Sequence, residues 1–163
     1  ILGSRRTITQ AGVTPARTRG LARPHCPDIC PTTLAVVAAA MRALADQAEQ
    51  VQPIFVSLDP DRDTPERLGD YVRYFHPEMI GLTGSAEALA ETADRYKVRY
   101  AFVGKGEREH YSLDHTASVY VIDRQGQLAR IIPYGLPPEV IVDAVRAQLS
   151  ADEGAQTAPG AGS

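Results

Sequence analysis

From Pro31 onward, amphipathic helical stripes and short β-prone runs alternate along this 163-residue chain, and few architectures accept that order. Leu34, Val37, Met41, Leu44 and Ala48 recur at helical spacing. Pro53 to Leu58 (PIFVSL) is apolar, with β-branched and aromatic side chains, and predicts a buried strand. Asp63 or Thr64 then caps a helix opened by Pro65, with Leu68, Tyr71, Val72 and Phe75 along it. Ile80–Leu82 predicts a second strand, and Gly84-Ser85 leads into a third helix carrying Leu89, Ala93 and Tyr96. Ala101–Val103 and Ser118–Ile122 predict strands around a polar excursion, Gly104–Asp114. Asp123–Gly126 reads as a turn, with Leu128–Ile132 as the returning hairpin strand. Pro138 opens a last helix that turns Ile141, Val145 and Leu149 inward. The expected class is an α/β sandwich with a late hairpin.

The length suits one domain with a proper core. No run of about 18 apolar residues occurs, so no membrane span is expected, and residues 1–25 lack the apolar stretch of a secretory signal. The net charge of −3 is unevenly spread. Arg5, Arg6, Arg17, Arg19 and Arg23 stand in a first segment with no acid, which leaves the body of the chain clearly acidic. An acidic body disfavours nucleic-acid binding, because phosphates need a positive surface. Residues 1–24 show neither strand nor helix period and are expected to be an irregular basic segment. Residues 25–150 form the expected domain, and 151–163, without a large apolar residue, the expected disordered tail.

The only two cysteines, Cys26 and Cys30, lie four positions apart. Bridging so short a loop would constrain little of the unfolded chain, so chemistry explains the pair better than stapling does. They sit where a helix begins, in His25-Cys26-Pro27-Asp28-Ile29-Cys30-Pro31. A four-residue spacing turns both sulfurs to one face, and the positive helix end favours thiolates. Such a pair makes a soft-metal site, a reversible disulfide, or both. Pro27 and Pro31 bracket an exposed turn, which argues against two inert buried thiols.

A third donor is expected from elsewhere, and histidine is the obvious type. His76 closes a helix, His110 lies among charged loop residues, and His25 adjoins Cys26 and could tune it, although adjacent residues generally point apart. His115 sits where the polar loop enters an apolar strand, a position where such folds place functional groups. Position alone leaves His115 either as that donor or as a hydrogen-bonded structural histidine. Asp114 beside it either orients the imidazole or caps the loop. Asp59, Asp61 and Asp63 resemble a calcium cluster but read more simply as a turn and helix cap.

Four blocks carry a family resemblance. They are His-Cys-Pro-Asp-Ile-Cys-Pro at 25–31, Ser-Leu-Asp-Pro-Asp-Arg-Asp-Thr-Pro-Glu at 57–66, Gly-Leu-Thr-Gly at 81–84, and Asp-His-Thr-Ala-Ser-Val-Tyr-Val-Ile-Asp at 114–123. In this order, from Cys26 to about Leu149, the sequence resembles the Sco/SenC family of copper-binding oxidase-assembly proteins. The resemblance implies a thioredoxin-like sandwich, a mixed sheet flanked by helices. It implies copper held by Cys26, Cys30 and His115 and delivered to the dinuclear copper A centre of cytochrome c oxidase subunit II. It also implies a thiol-reductase role for Cys26 and Cys30 as a redox pair on that subunit, with a thiol reductant protein as further partner. The competing readings on the same cysteines are a thiol–disulfide oxidoreductase and a redox or copper sensor. The implied location is the periplasmic side of a bacterial inner membrane, or the mitochondrial intermembrane space. Membrane association is expected only through an anchor helix that these residues do not contain.

The departure from the family pattern precedes the cysteines. Members run an apolar central strand directly into the cysteine turn, whereas here Thr18-Arg19-Gly20-Leu21-Ala22-Arg23-Pro24 occupies that place. Burying such a strand on both faces would desolvate Arg19 and Arg23. Residues 1–24 are therefore expected outside the sheet, with the strand slot empty or poorly filled.

Overall fold

The computed structural model describes residues 6–12, 29–104 and 111–157. In chain order its elements are β1 (Arg6–Gly12), α1 (Ile29–Leu44), a 3-10 turn (Ala45–Gln50), β2 (Val51–Ser57), α2 (Pro65–Arg73) and β3 (Ile80–Leu82). There follow α3 (Ala86–Arg95), β4 (Tyr100–Val103), β5 (Ser112–His115), β6 (Ser118–Ile122), β7 (Leu128–Pro133) and α4 (Pro138–Thr157). Five strands form a mixed sheet in the order β3-β2-β1-β6-β7, while β4 and β5 pair with each other in a separate ribbon. β1, β2 and β3 are parallel; β6 runs antiparallel to β1, and β7 antiparallel to β6.

The expected sandwich is present. β2 and β6 are buried almost throughout, which requires cover on both faces of the sheet. Val51 and Phe55 of β2 alternate with Gln52, Ile54 and Val56, so each set meets a different layer. On one side Leu34, Val37, Met41 and Leu44 of α1 join Leu68 and Val72 of α2 and Ile141, Val145 and Leu149 of α4. Val51, Phe55, Val119, Val121 and Ile132 complete that core from the sheet. On the other side Val56, Leu58 and Tyr120 face Thr92, Ala93 and Tyr96 at the end of α3. Among the described residues no helix is long and apolar enough to cross a membrane.

Local sequence explains most boundaries. Thr64 is the cap of α2, its hydroxyl accepting from the Arg67 amide at 3.4 Å, and Pro65 follows in the first turn. Ser85 caps α3 in the same way, through the Ala88 amide at 3.2 Å. Ala45 adopts a left-handed φ of 49°, which ends α1 short of Ala48, the last residue of the expected stripe, and tightens the chain into the 3-10 turn.

Beyond the shortened α1, and β5 (Ser112–His115) forming within the expected polar excursion, two larger expectations are overturned. Residues 6–12 are not irregular chain outside the sheet: β1 is its central strand, paired from Arg6 to Gly12 with Val51 to Ser57 and from Thr7 to Gln10 with Ile122 to Val119. The slot is therefore filled, by a segment earlier than the arginine-rich stretch weighed for it. Thr7, Ile8 and Thr9 are consecutive β-branched residues suited to extended backbone, and Arg6 falls at the strand end. Arg19 and Arg23 lie outside the described residues. The second correction is at the other end, where α4 continues to Thr157 instead of giving way to a tail at Ala151. Alanine, glutamate and glutamine are good helix formers and extend a helix already nucleated by packing.

Candidate metal centre

The topology brings two of the candidate residues, Cys30 and His115, to one end of the sheet. Parallel β1 and β2 finish together, Gly12 opposite Ser57, and antiparallel β6 starts beside them, Gln10 opposite Val119. β5 ends at His115, three residues before Ser118. α1 is 16 residues long, about 24 Å, and its end leads through the 3-10 turn to the start of β2. Its beginning, with Cys30 in the first turn, therefore falls at the opposite, carboxyl end of β1 and β2, as His115 does. Open α/β sheets bind ligands at this end. Cys26, His25 and His110 lie outside the described residues, and of Cys30 only the backbone is described.

His115 is half-buried and ends β5 opposite Tyr100. Its Nδ1 is 3.2 Å from the Thr116 carbonyl oxygen. A carbonyl only accepts, so Nδ1 carries the hydrogen and Nε2 the lone pair suited to a metal. The next residue fixes the ring's backbone. The Thr116 amide donates to the Arg99 carbonyl at 2.8 Å, and its hydroxyl accepts from the Arg99 amide at 3.2 Å. Asp114 does not take the orienting role considered for it. Strand alternation places it on the opposite, exposed face of β5, and the Thr116 carbonyl serves instead. His76 is a local structural group: its Nδ1 accepts from the Glu78 amide at 3.3 Å. Burial, with the Arg42 charge, lowers its pKa below 6.5.

The aspartate run is a turn, as expected. The Asp59 carbonyl accepts from the Arg62 and Asp63 amides at 3.3 and 3.0 Å. Ser57 Oγ donates to Asp63 Oδ2 and accepts from the Asp59 amide. Among the described residues no cluster of three or more metal-type side chains forms. What the sequence did not disclose is the attachment of this turn to the hairpin. Asp59, fully buried, accepts from the Tyr111 hydroxyl at 2.8 and 2.9 Å and pairs with Arg62 Nε. The Arg62 guanidinium lies over the Tyr111 ring, 3.9 Å from its centroid, and donates to the Tyr111 carbonyl at 3.2 Å. Burial, then the hydrogen bond and charge of Asp59, push the Tyr111 pKa up to about 12. A polar loop containing an isolated tyrosine gives little signal for such a contact, which spans 52 residues.

Comparison with known proteins covers the same region. The sequence model of the SCO1/SenC family matches residues 24–150. The chain is 37% identical over 129 residues to the mitochondrial SCO2 homologue of Bos taurus, covering 78% of this chain and 48% of that protein. It is 36% identical over 122 residues to an SCO2-like protein of Rickettsia conorii, covering 74% and 60%. It thus spans about half to three-fifths of the length of these curated relatives. Among solved structures, copper-bound ScoI of Arabidopsis thaliana superposes with a TM-score of 0.75 at 32% identity, over 91% of this chain and 86% of that one. Copper-bound ScoI of Bradyrhizobium japonicum gives 0.73 at 31%, over 90% and 87%. The family model spans both cysteines and His115, and the chain belongs to the SCO1/SenC family.

Proposed function

We propose that this domain carries one copper ion on Cys26, Cys30 and His115 and delivers it to the dinuclear copper A site of cytochrome c oxidase subunit II. The reading is carried by the convergence of Cys30 and His115 on one end of the sheet, in a chain related to copper-bound Sco proteins. Two thiolates and a neutral imidazole suit cuprous ion, which favours soft donors and low coordination. The ion is cargo. An acceptor thiolate joins it, a donor leaves, and no net electron transfer is needed. His115 is the natural first leaver, because imidazole binds cuprous ion less strongly than thiolate. The proposed setting is the periplasmic face of a bacterial inner membrane or the mitochondrial intermembrane space, in line with mitochondrial and rickettsial relatives.

A second reading rests on the same pair. Cys30 in a helix's first turn is placed where thiolates are stabilised, so a Cys26–Cys30 thiol–disulfide couple acting on subunit II is proposed as a companion activity. Anaerobic copper titration tests the main reading. The reduced chain should bind one copper, Cys26→Ala and Cys30→Ala should lose it, and His115→Ala should weaken it. Oxidation to the disulfide should expel the ion. Undiminished copper binding by both cysteine variants would refute the site.

A further inference from the structure

The ribbon that carries His115 pairs with no strand of the main sheet among the described residues, so its attachments decide where the imidazole stands. Its two faces differ. Ala101, Val103 and Asp114 are exposed, whereas Tyr100, Phe102, Leu113 and His115 are half-buried. Tyr100 opposes His115 and Phe102 opposes Leu113, and directly opposed residues share a face. Tyr111, two residues before Leu113, continues that side. Rings of Tyr100 and Phe102 meet edge-on at 5.9 Å, and those of Phe102 and Tyr111 at 5.7 Å. This aromatic row starts beside His115 and ends where the Tyr111 hydroxyl meets buried Asp59 under the Arg62 guanidinium. The anchor itself is firm, since Asp59 and Asp63 are both buried in a turn closed by Ser57.

We propose that Tyr111 is a positioning residue: its hydroxyl latches the β4–β5 hairpin to the β2–α2 turn and so sets how firmly His115 is presented to the metal. The proposal rests on the copper reading above. A histidine on a latched arm is held while cargo is carried. It withdraws when the latch opens, without disturbing the helix start that bears Cys30. Ligand loss at the imidazole then becomes a motion of one hairpin.

Tyr111→Phe deletes the hydroxyl and keeps the ring, with its contacts to Phe102 and Arg62. Hydrogen exchange should quicken on the order of tenfold at β4–β5 amides, the weight of one hydrogen bond to a charged group, with β6 unchanged. Copper release to a competing chelator should quicken by a similar factor. That acceleration should vanish in a His115→Ala background, a non-additivity that general loosening of the fold would not produce. Unchanged hairpin exchange, or equal acceleration of release in both backgrounds, would overturn the proposal. A wild-type chain that takes up no copper would defeat the copper reading alone, and hairpin exchange would still decide whether the latch exists. Loss of the folded signal in Tyr111→Phe would also count against it, because a latch supports the hairpin and not the core.

Discussion

Replacing Gly81 by alanine would force β3 and α2 apart, and the structure supplies the size of the conflict. A Cβ built at Gly81 lies 2.7 Å from Leu68 Cβ and 2.9 and 3.0 Å from the Leu68 carbonyl carbon and oxygen. Neither side yields easily. Gly81 is paired with Phe55 in the sheet, while Leu68 and Val72 of α2 are fully buried beneath it. Relieving the contact requires a backbone shift of several tenths of an ångström in one element, which loosens both leucine and valine. Overpacking of this kind costs about 1–3 kcal/mol. In a domain of this size each kcal/mol lowers Tm by about 2–4 °C. Two other glycines separate packing from backbone strain. Gly84→Ala meets only the Ala88 Cβ, at 3.9 Å, and should change stability by less than about 0.5 kcal/mol. Gly126→Ala meets nothing within 4 Å but sits at φ +79°, and should lose about 1 kcal/mol to conformation alone. Denaturant unfolding of the three variants, with slopes compared to establish equal two-state behaviour, measures the series. A Gly81→Ala variant as stable as Gly84→Ala would show that β3 and α2 are not in the contact described.

The remaining predictions concern the sheet centre and the latch. Amides of Thr7 to Gln10, in a strand flanked on both sides, should exchange as slowly as those of Val119 to Val121; exchange at unfolded-chain rates would remove β1 from the sheet. Tyr111 should be a late-titrating tyrosine, losing its proton near pH 12 in place of 10, and ultraviolet titration should lose that step in Tyr111→Phe. Because the folded pKa is raised, the tyrosine's contribution to stability is whole below pH 10 and is lost as pH climbs through about 12. An identical titration curve for the variant would contradict the Asp59 contact.

Elements that bury a repeating face were legible from the chain alone. Leu34, Val37, Met41 and Leu44 form one buried stripe, and the PIFVSL run is a strand buried almost throughout, because hydrophobic period and burial are the same physical fact. β1 was not legible: its one large apolar residue, Ile8, gives no measurable alternation, and its place depends on partners 45 or more residues away. β5 was hidden for a similar reason. Among the described residues it pairs with β4 alone, and Leu113, Asp114 and His115 bury too little to leave a pattern. His115 was identifiable by family resemblance and by its place at a loop–strand junction, whereas its Nδ1 partner, Thr116, required the backbone trace. The Asp59–Tyr111 contact lies beyond sequence reasoning altogether, since nothing local distinguishes a tyrosine that reaches a buried carboxylate from one that faces water.

The order of the main sheet leaves β3 and β7 at its margins, and their shapes bear on how the domain behaves when crowded among copies of itself. An unpaired strand margin is a template for another chain, and long flat margins seed aggregates. β3 offers only three residues. β7 is longer, but the ladder that supports it slips register between Val121 and Ile122, and the strand closes on Pro133. A register slip twists the ribbon, and proline donates no backbone hydrogen. Ile131 is exposed on this side, yet Arg130 beside it brings a charge to the same margin. Among the described residues, a second copy trying to lengthen the sheet finds little straight backbone on either flank, which disfavours edge-to-edge growth of the sheet.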